Sequence, residues 1–382
     1  MILHDASTID HFTSAGLWGR RTLLDVVAEH VTHVPERTAI VDTPDRRALI
    51  GTPATSVTWR QFGEAVDAIA TGLIRRGLEK DEVVVVQLPN VWELLALYFG
   101  IARAGGIISP VAMHWRETEL RNVCDVSGAM LYIGVRSFKE HNHIAMADKL
   151  GFETWALEEV TNMASDLSDK AALKAVAITA NDIFSLCWSS GTESQAKGCP
   201  MSHNNWMYQL RLVPNTAGIR EGDRVLAPAP MVNMAGAVAW LSWLAGRGTL
   251  LLHHPLDVPL LIQQLLTEKV QFTILVPAIL NMILKLPNVD QLDLSSIRSI
   301  ATGSAPPSRW SMEEFKRRWN IEICNLWVQT EGTGLVGGPI DVPDFGMRVD
   351  HCPWVGQARP ELGVEQGRRA GEAARRSGSG MR

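Results

Sequence analysis

No stretch of this chain carries the ~18–20 consecutive apolar residues that a membrane-spanning helix needs. The most apolar segments, Val83 to Leu88 and Trp92 to Ala104, are broken by Pro89, Asn90 and Glu93. No transmembrane segment is therefore expected, and the N-terminus MILHDASTIDHF has no apolar core of signal-peptide length. Basic excess is also missing. Against 41 Asp and Glu stand 36 Lys and Arg, a formal net charge of -5, so no nucleic-acid partner is expected. Cysteine is scarce and odd in number: Cys124, Cys187, Cys199, Cys324 and Cys352, without metal-type spacing. A disulfide framework and a zinc site are not expected, and a reducing, cytoplasmic compartment fits best. No internal repeat is present.

What is there is a folded chain. Its 382 residues, 46% hydrophobic and 20% charged, exceed one ordinary core and suggest two or three subdomains. Leu23, Leu24, Val27 and Val31 lie on one helical stripe. Thr58, with Gln61 three residues on, reads as a helix start, and Gly77 as that helix's end. Val83 to Leu88 is a β-branched run of the kind buried on both faces of a sheet. Helices are expected over Val91 to Ala104 and Glu117 to Ser127, with strands at Ile107-Ile108 and Met130 to Val135. Residues 136 to 180 read as a short helix followed by linker-like sequence. The alternation resumes with strands at Ile183 to Trp188, Arg224 to Ala227, Thr249 to Leu252, Phe272 to Val276 and Ile297 to Ala301. Such alternation predicts an α/β fold with a mostly parallel sheet.

The strand from Ile183 runs into Ser189-Ser190-Gly191-Thr192, and Lys197-Gly198 follows. Small residues let backbone N–H groups approach phosphate oxygens, hydroxyls add donors, and a Lys adds charge. It is not a Walker loop, because Gly198, Cys199 and Pro200 hinder a helix after the Lys. A polar turn between two strands explains these residues equally well.

Three further stretches share that ambiguity. Gly303-Ser304-Ala305-Pro306 follows a strand and leaves room for a flat ring at its carboxyl end. In Trp327-Val328-Gln329-Thr330-Glu331 the indole can stack on a base, Thr330 can bond a phosphate, and Glu331 can bind Mg²⁺. Singly, each residue is better explained as core or solvated surface. Asn233-Met234-Ala235-Gly236 opens an apolar helix that suits either an acyl pocket or ordinary core.

Taken in order, these stretches resemble the adenylate-forming (AMP-binding) superfamily of acyl-CoA synthetases, peptide-synthetase adenylation domains and luciferases. The resemblance runs from Thr22 to about Pro360 and includes VTWRQF, the LPN turn and AGGIISPV. It implies two mostly parallel sheets flanked by helices, in one AMP-binding domain over 1–355 with subdomains over 20–150 and 181–340. It also implies ATP-dependent activation of a medium-chain, cyclic or aromatic carboxylic acid, with ATP, Mg²⁺ and CoA as cofactors. By motif, Ser189, Ser190, Gly191, Thr192 and Lys197 would hold phosphates, while Gly303, Ser304, Ala305 and Pro306 would border the adenine. Trp327 would stack on that ring and Thr330 would bond phosphate. Thr192 and Glu331 would bind Mg²⁺; Thr192, Lys197 and Glu331 would be catalytic; Asn233, Met234, Ala235 and Gly236 would contact the acid. A homo-oligomer is compatible with all of this.

The chain also departs from the family pattern. Glu193, Ser194 and Ala196 stand where the family loop has Thr, Gly and Pro; Trp327 and Val328 replace Tyr and Gly; Asn233 replaces His or an aromatic residue. Beyond VGQARP no counterpart of the small C-terminal domain and its catalytic Lys is found, and residues 356–382 read as a flexible Arg-rich tail. On that reading the complete CoA-ligase reaction is expected to be impaired. A non-catalytic nucleotide- or acyl-binding module and an inactive truncated product remain the alternatives.

Overall fold

A computed structural model describes residues 1–163, 169–189, 195–330 and 332–350. Its strands in chain order are β1 (Thr38–Val41), β2 (Ser56–Thr58), β3 (Val83–Gln87), β4 (Ile107–Pro110), β5 (Leu131–Gly134), β6 (Glu153–Ala156) and β7 (Ile183–Trp188). There follow β8 (Gly198–Ser202), β9 (Arg224–Ala227), β10 (Thr249–Leu252), β11 (Phe272–Ile274), β12 (Ser299–Thr302), β13 (Glu322–Gln329) and β14 (Gly332–Gly337). Among the described residues they form an eight-stranded sheet, β14-β13-β12-β11-β9-β10-β1-β2, and a six-stranded sheet, β6-β5-β3-β4-β7-β8. Pairing is parallel except at the margins, where β13/β14, β1/β2 and β7/β8 run antiparallel. The expected α/β architecture with two mostly parallel sheets is present.

Strand alternation sorts side chains into layers. Val84 and Val86 face one way, into a core shared with Val225, Ala227, Leu250 and Leu252 of the other sheet. Val85 and Tyr132 face outward under the helices Glu117–Ser127 and His143–Lys149. Leu226 and Leu251 face outward on the larger sheet, under the helices Val258–Thr267, Pro277–Leu284 and Arg309–Trp319. The central layer is helical. Trp59, on the helix Trp59–Arg76, stacks on Trp243, with ring centroids 4.6 Å apart and planes at 6°. Phe62 meets that pair edge-on.

Local signals set many of the boundaries. Thr58 and Gln61 cap each other reciprocally, with the Thr58 N–H donating to Gln61 Oε1 at 2.9 Å and the Gln61 N–H to Thr58 Oγ1 at 3.2 Å. That helix ends at Gly77, whose φ of 96° is left-handed backbone suited to glycine. The 136–180 region departs from its linker-like reading. There β6 pairs in parallel with β5, and helices occupy Leu157–Met163 and Lys170–Ala175. β6 is a four-residue edge strand with one fully buried residue, Ala156, so its sequence carries little alternation to detect. After β8 a helix runs over His203–Ala217, continuing through Pro214.

Candidate functional site

The eight-stranded sheet ends in a cleft of about 430 Å³. β12 and β13 deliver its two walls. Past β12, Ser304, Ala305 and Pro306 line it; past the middle of β13, Trp327 and Thr330 do. Asn233, Met234 and Ala235, at the start of the helix Met234–Gly246, complete the lining. Eight of the motif residues from three separate stretches therefore border one space.

Each wall has a local cause. Gly303 is buried, and a Cβ there would sit 2.8 Å from the Leu326 carbonyl oxygen, so glycine lets β12 leave the sheet close beside β13. Ser304 follows with φ of 70°, a left-handed conformation that turns the chain outward. Beside it the Thr302 hydroxyl is buried without a hydrogen-bond partner among the described residues. Trp327 is 51% exposed, unlike the core tryptophans Trp59, Trp206, Trp240 and Trp243. A large apolar ring left open beside a cleft is a surface fit for stacking a flat ligand.

The third wall is held from a distance. Asn233 caps its helix, its Oδ1 accepting from the Gly236 N–H at 2.9 Å. A Cβ on Gly236 would lie 2.0 Å from the Pro230 carbonyl oxygen, so Gly236 supports the turn and does not line the cleft. Asn90, buried at the end of the LPN turn, donates to the carbonyls of Ala227 (3.2 Å), Ala229 (2.9 Å) and His253 (3.3 Å). Its Oδ1 accepts from the Met231 N–H at 2.9 Å. Tyr98 Oη adds a 3.3 Å bond to the Met231 carbonyl, and burial pushes that phenol well above its usual pKa. Sequence reading missed Asn90 as a positioning residue. The Pro-Asn dipeptide marked a turn, but nothing in it names partners 137 to 163 residues away.

Of the loop residues, Ser189 and Lys197 lie at the margin of the smaller sheet. Ser189 and the exposed Lys197 face each other at the end of the β7/β8 pair. β7 is pinned from both faces. Trp188 Nε1 donates to Ser109 Oγ at 2.8 Å, and Trp206 Nε1 donates to Ser185 Oγ at 2.9 Å. Asn122 Nδ2 holds the returning arm through the Ala196 carbonyl at 2.9 Å. Ser190, Gly191, Thr192, Glu193, Ser194 and Glu331, and the tail 356–382, lie outside the described residues. Among the described residues no three His, Cys, Asp or Glu side chains group as a metal-binding set, and no helix is long and apolar enough to cross a membrane.

The AMP-binding enzyme family matches residues 35–363. The chain is 28% identical over 303 residues to the long-chain-fatty-acid–CoA ligase FadD13 of Mycobacterium tuberculosis, covering 78% of this chain and 59% of that protein. It is 23% identical over 340 residues to the medium-chain fatty-acid–CoA ligase of Escherichia coli (strain K12), covering 84% and 58%. The chain thus spans less than two thirds of the length of these relatives. Among solved structures, the inhibitor-bound N-terminal domain of FACL13 from Mycobacterium tuberculosis superposes with a TM-score of 0.71 at 22% identity, covering 83% of this chain and 79% of that one. ATP-bound MatB from Rhodopseudomonas palustris gives 0.69 at 19%, covering 82% and 62%. At these identities the structural likeness speaks to fold alone.

Proposed function

Because this chain belongs to the AMP-binding enzyme family, we propose that it binds ATP and a carboxylic acid and joins them as an acyl-adenylate. The observation that carries this reading is the convergence of Ser304, Ala305, Pro306, Trp327, Thr330 and Asn233 on one cleft. In the proposed reaction a carboxylate oxygen attacks the α-phosphorus, the bond to the bridging oxygen breaks, and pyrophosphate leaves with the electron pair. Such a step calls for fixed donors and positive charge around the leaving group rather than a protein nucleophile.

On this reading Trp327 stacks on the adenine, bordered by Gly303 to Pro306, and Thr330 donates to phosphate. Lys197, with Ser189, Ser190, Gly191 and Thr192, holds the pyrophosphate portion. Met234 and Ala235 face the acid, and Asn233 and Gly236 fix the turn that presents them. Thr192 and Glu331 would hold Mg²⁺, which when bound supplies charge neutralisation on phosphate oxygens; a hydroxyl and a carboxylate are the hard oxygen donors it prefers. A medium-chain, cyclic or aromatic acid, CoA as the final acceptor, a cytoplasmic setting and a single AMP-binding domain over 1–355 belong to the same proposal. The names of the relatives, a long-chain and a medium-chain fatty-acid–CoA ligase, support an acid substrate and CoA as acceptor.

Pyrophosphate exchange into ATP, run with a panel of carboxylic acids, tests the first half-reaction, and thioester formation on adding CoA tests the second. Acid-dependent exchange is the expected result. ATP binding without exchange for any acid would instead favour a non-catalytic nucleotide-binding module.

A further inference from the structure

The strand pair that carries Ser189 and Lys197 also carries two of the chain's few cysteines. Cys187 on β7 is directly opposite Cys199 on β8. The Ser189 N–H donates to the Lys197 carbonyl at 3.0 Å, which marks 189/197 as a hydrogen-bonded pair. Antiparallel ladders alternate, so two residues back 187/199 is a hydrogen-bonded pair as well, with Cα atoms ~5.5 Å apart. Residues directly opposite share one face of the sheet. That separation falls inside the ~4.4–6.8 Å range of disulfide-linked cysteines.

We propose that Cys187 and Cys199 form an oxidation site, closing a reversible disulfide across the base of the Ser189–Lys197 loop when a peroxide is present. Cys199 is half-exposed and Cys187 is buried, so the peroxide reaches Cys199 first. The Cys199 thiolate attacks one peroxide oxygen, the O–O bond breaks, and the departing hydroxide takes up the proton that the Cys199 thiol released, leaving sulfenic acid and water. The Cys187 sulfur then displaces hydroxide from the Cys199 sulfur; hydroxide takes the Cys187 proton and leaves as a second water. Two thiols lose two electrons and the peroxide gains them. A dithiol returns both sulfurs to thiols by exchange.

Two features make the link reversible and slow to close. Opposed residues in such a pair have Cβ atoms ~4.5–5.5 Å apart, whereas a relaxed disulfide holds them at ~3.5–4.5 Å. The strands must draw together, and a strained disulfide is readily reduced. Burial pushes the Cys187 thiol up to about 12, with the Ser185 hydroxyl 3.6 Å away partly offsetting it. At neutral pH little Cys187 thiolate is present, so the closing step is slow. Drawing β8 toward β7 shifts Lys197, two residues beyond Cys199, relative to Ser189. The functional consequence rests on the phosphate-holding role proposed above: oxidised chain binds ATP more weakly, by about tenfold.

Trypsin cleaves after Lys197 and so separates the two cysteines. The full chain is treated with hydrogen peroxide, alkylated, digested without reductant and mapped by mass spectrometry. The expected product is peptide 175–197 linked to peptide 198–211, released by dithiothreitol and absent from C199S. Continued alkylation of both cysteines after oxidation, or links only between chains, would overturn the proposal. ATP-dependent thermal stabilisation is then compared in reduced and oxidised chain, with C199S as the insensitive control. A crosslink that leaves ATP binding unchanged removes the regulatory half. Absence of ATP binding even in reduced chain counts against the phosphate-holding reading while leaving the crosslink standing.

Discussion

Ser189 and Lys197 hold each other across the mouth of a loop. The Ser189 N–H donates to the Lys197 carbonyl and the Lys197 N–H donates to Ser189 Oγ, both at 3.0 Å. The backbone of Lys197 is thus fixed by the ladder while its side chain is exposed. A cation so placed is available to a ligand without upholding the fold. Lys197→Ala is therefore expected to leave the unfolding temperature of the unliganded chain unchanged. It should weaken ATP·Mg²⁺ binding about tenfold to a hundredfold, since bonds to charged groups contribute ~1.5–3 kcal/mol. Isothermal titration with ATP·Mg²⁺ measures this, and unchanged affinity would contradict the role.

Trp327 separates a core tryptophan from a ligand-stacking one. Half its surface is open, so Trp327→Ala should alter stability by no more than ~0.5 kcal/mol, as at other surface positions. Stacking of a base on an aromatic ring is worth ~1–3 kcal/mol, so nucleotide affinity should fall by at least fivefold. A large loss of stability with unchanged affinity would assign the ring to the core instead.

Arg46 sits among Asp42 and Glu93 with all three side chains buried. Its Nη1 is 2.7 Å from Asp42 Oδ2 and 2.9 Å from Glu93 Oε2, and its Nη2 is 2.6 Å from Glu93 Oε1. Burial pushes the Glu93 carboxyl up, and the guanidinium only partly offsets it. At Glu93 desolvation outweighs attraction, whereas at Arg46 burial is outweighed by the bonds to Glu93 and Asp42, which hold its pKa up; the intact cluster therefore contributes little net stability. Removing one partner is another matter. Arg46→Met should cost ~3–5 kcal/mol by leaving carboxylates buried without a counter-ion. The loss should shrink at acidic pH, where Glu93 accepts a proton. Denaturant unfolding at two pH values tests both statements.

Asn90 binds four backbone groups from the ends of β9 and β10 and the turn that carries Asn233. Asn90→Ala leaves buried carbonyls and an N–H without partners, at ~1–3 kcal/mol for an unsatisfied group. Because the turn also presents Met234 and Ala235 to the cleft, acid-dependent pyrophosphate exchange should fall more than the melting temperature alone explains. Exchange that merely tracks the folded fraction would leave Asn90 a purely structural residue.

Buried histidines make the fold acid-sensitive. Burial lowers His30, His143, His203 and His254 to about 4, and lowers His253 as well. His203 Nδ1 accepts the Leu23 N–H at 3.3 Å, a role that protonation ends. Above about 6.5 these rings are neutral whether the chain is folded or not. As pH falls from there toward 4 the unfolded chain gains protons that the fold cannot, and stability drops by at most ~1.4 kcal/mol per ring per unit. The urea midpoint should be lower at pH 5 than at pH 7, and His203→Gln should flatten the slope. Equal midpoints at the two pH values would show the rings to be ionisable in the fold.

Sequence alone determined what depends on neighbours along the chain. The capping pair Thr58 and Gln61, the terminator Gly77, the valine run of β3 and the order of the small-residue motifs were all legible, because helix ends and strand cores are set within a few residues. It also named eight of the residues that line the cleft without saying that they meet. Only tertiary structure decided that Pro306, Trp327 and Asn233 border one space, and that Asn90 secures it from the neighbouring sheet. The same holds for Cys187 and Cys199, twelve positions apart in sequence yet facing partners in a ladder. At the loop of Ser189 and Lys197, the sequence marked small residues and a cation. The register of β7 on β8 then placed two sulfurs beneath them, because strand pairing is set by long-range burial and not by local composition.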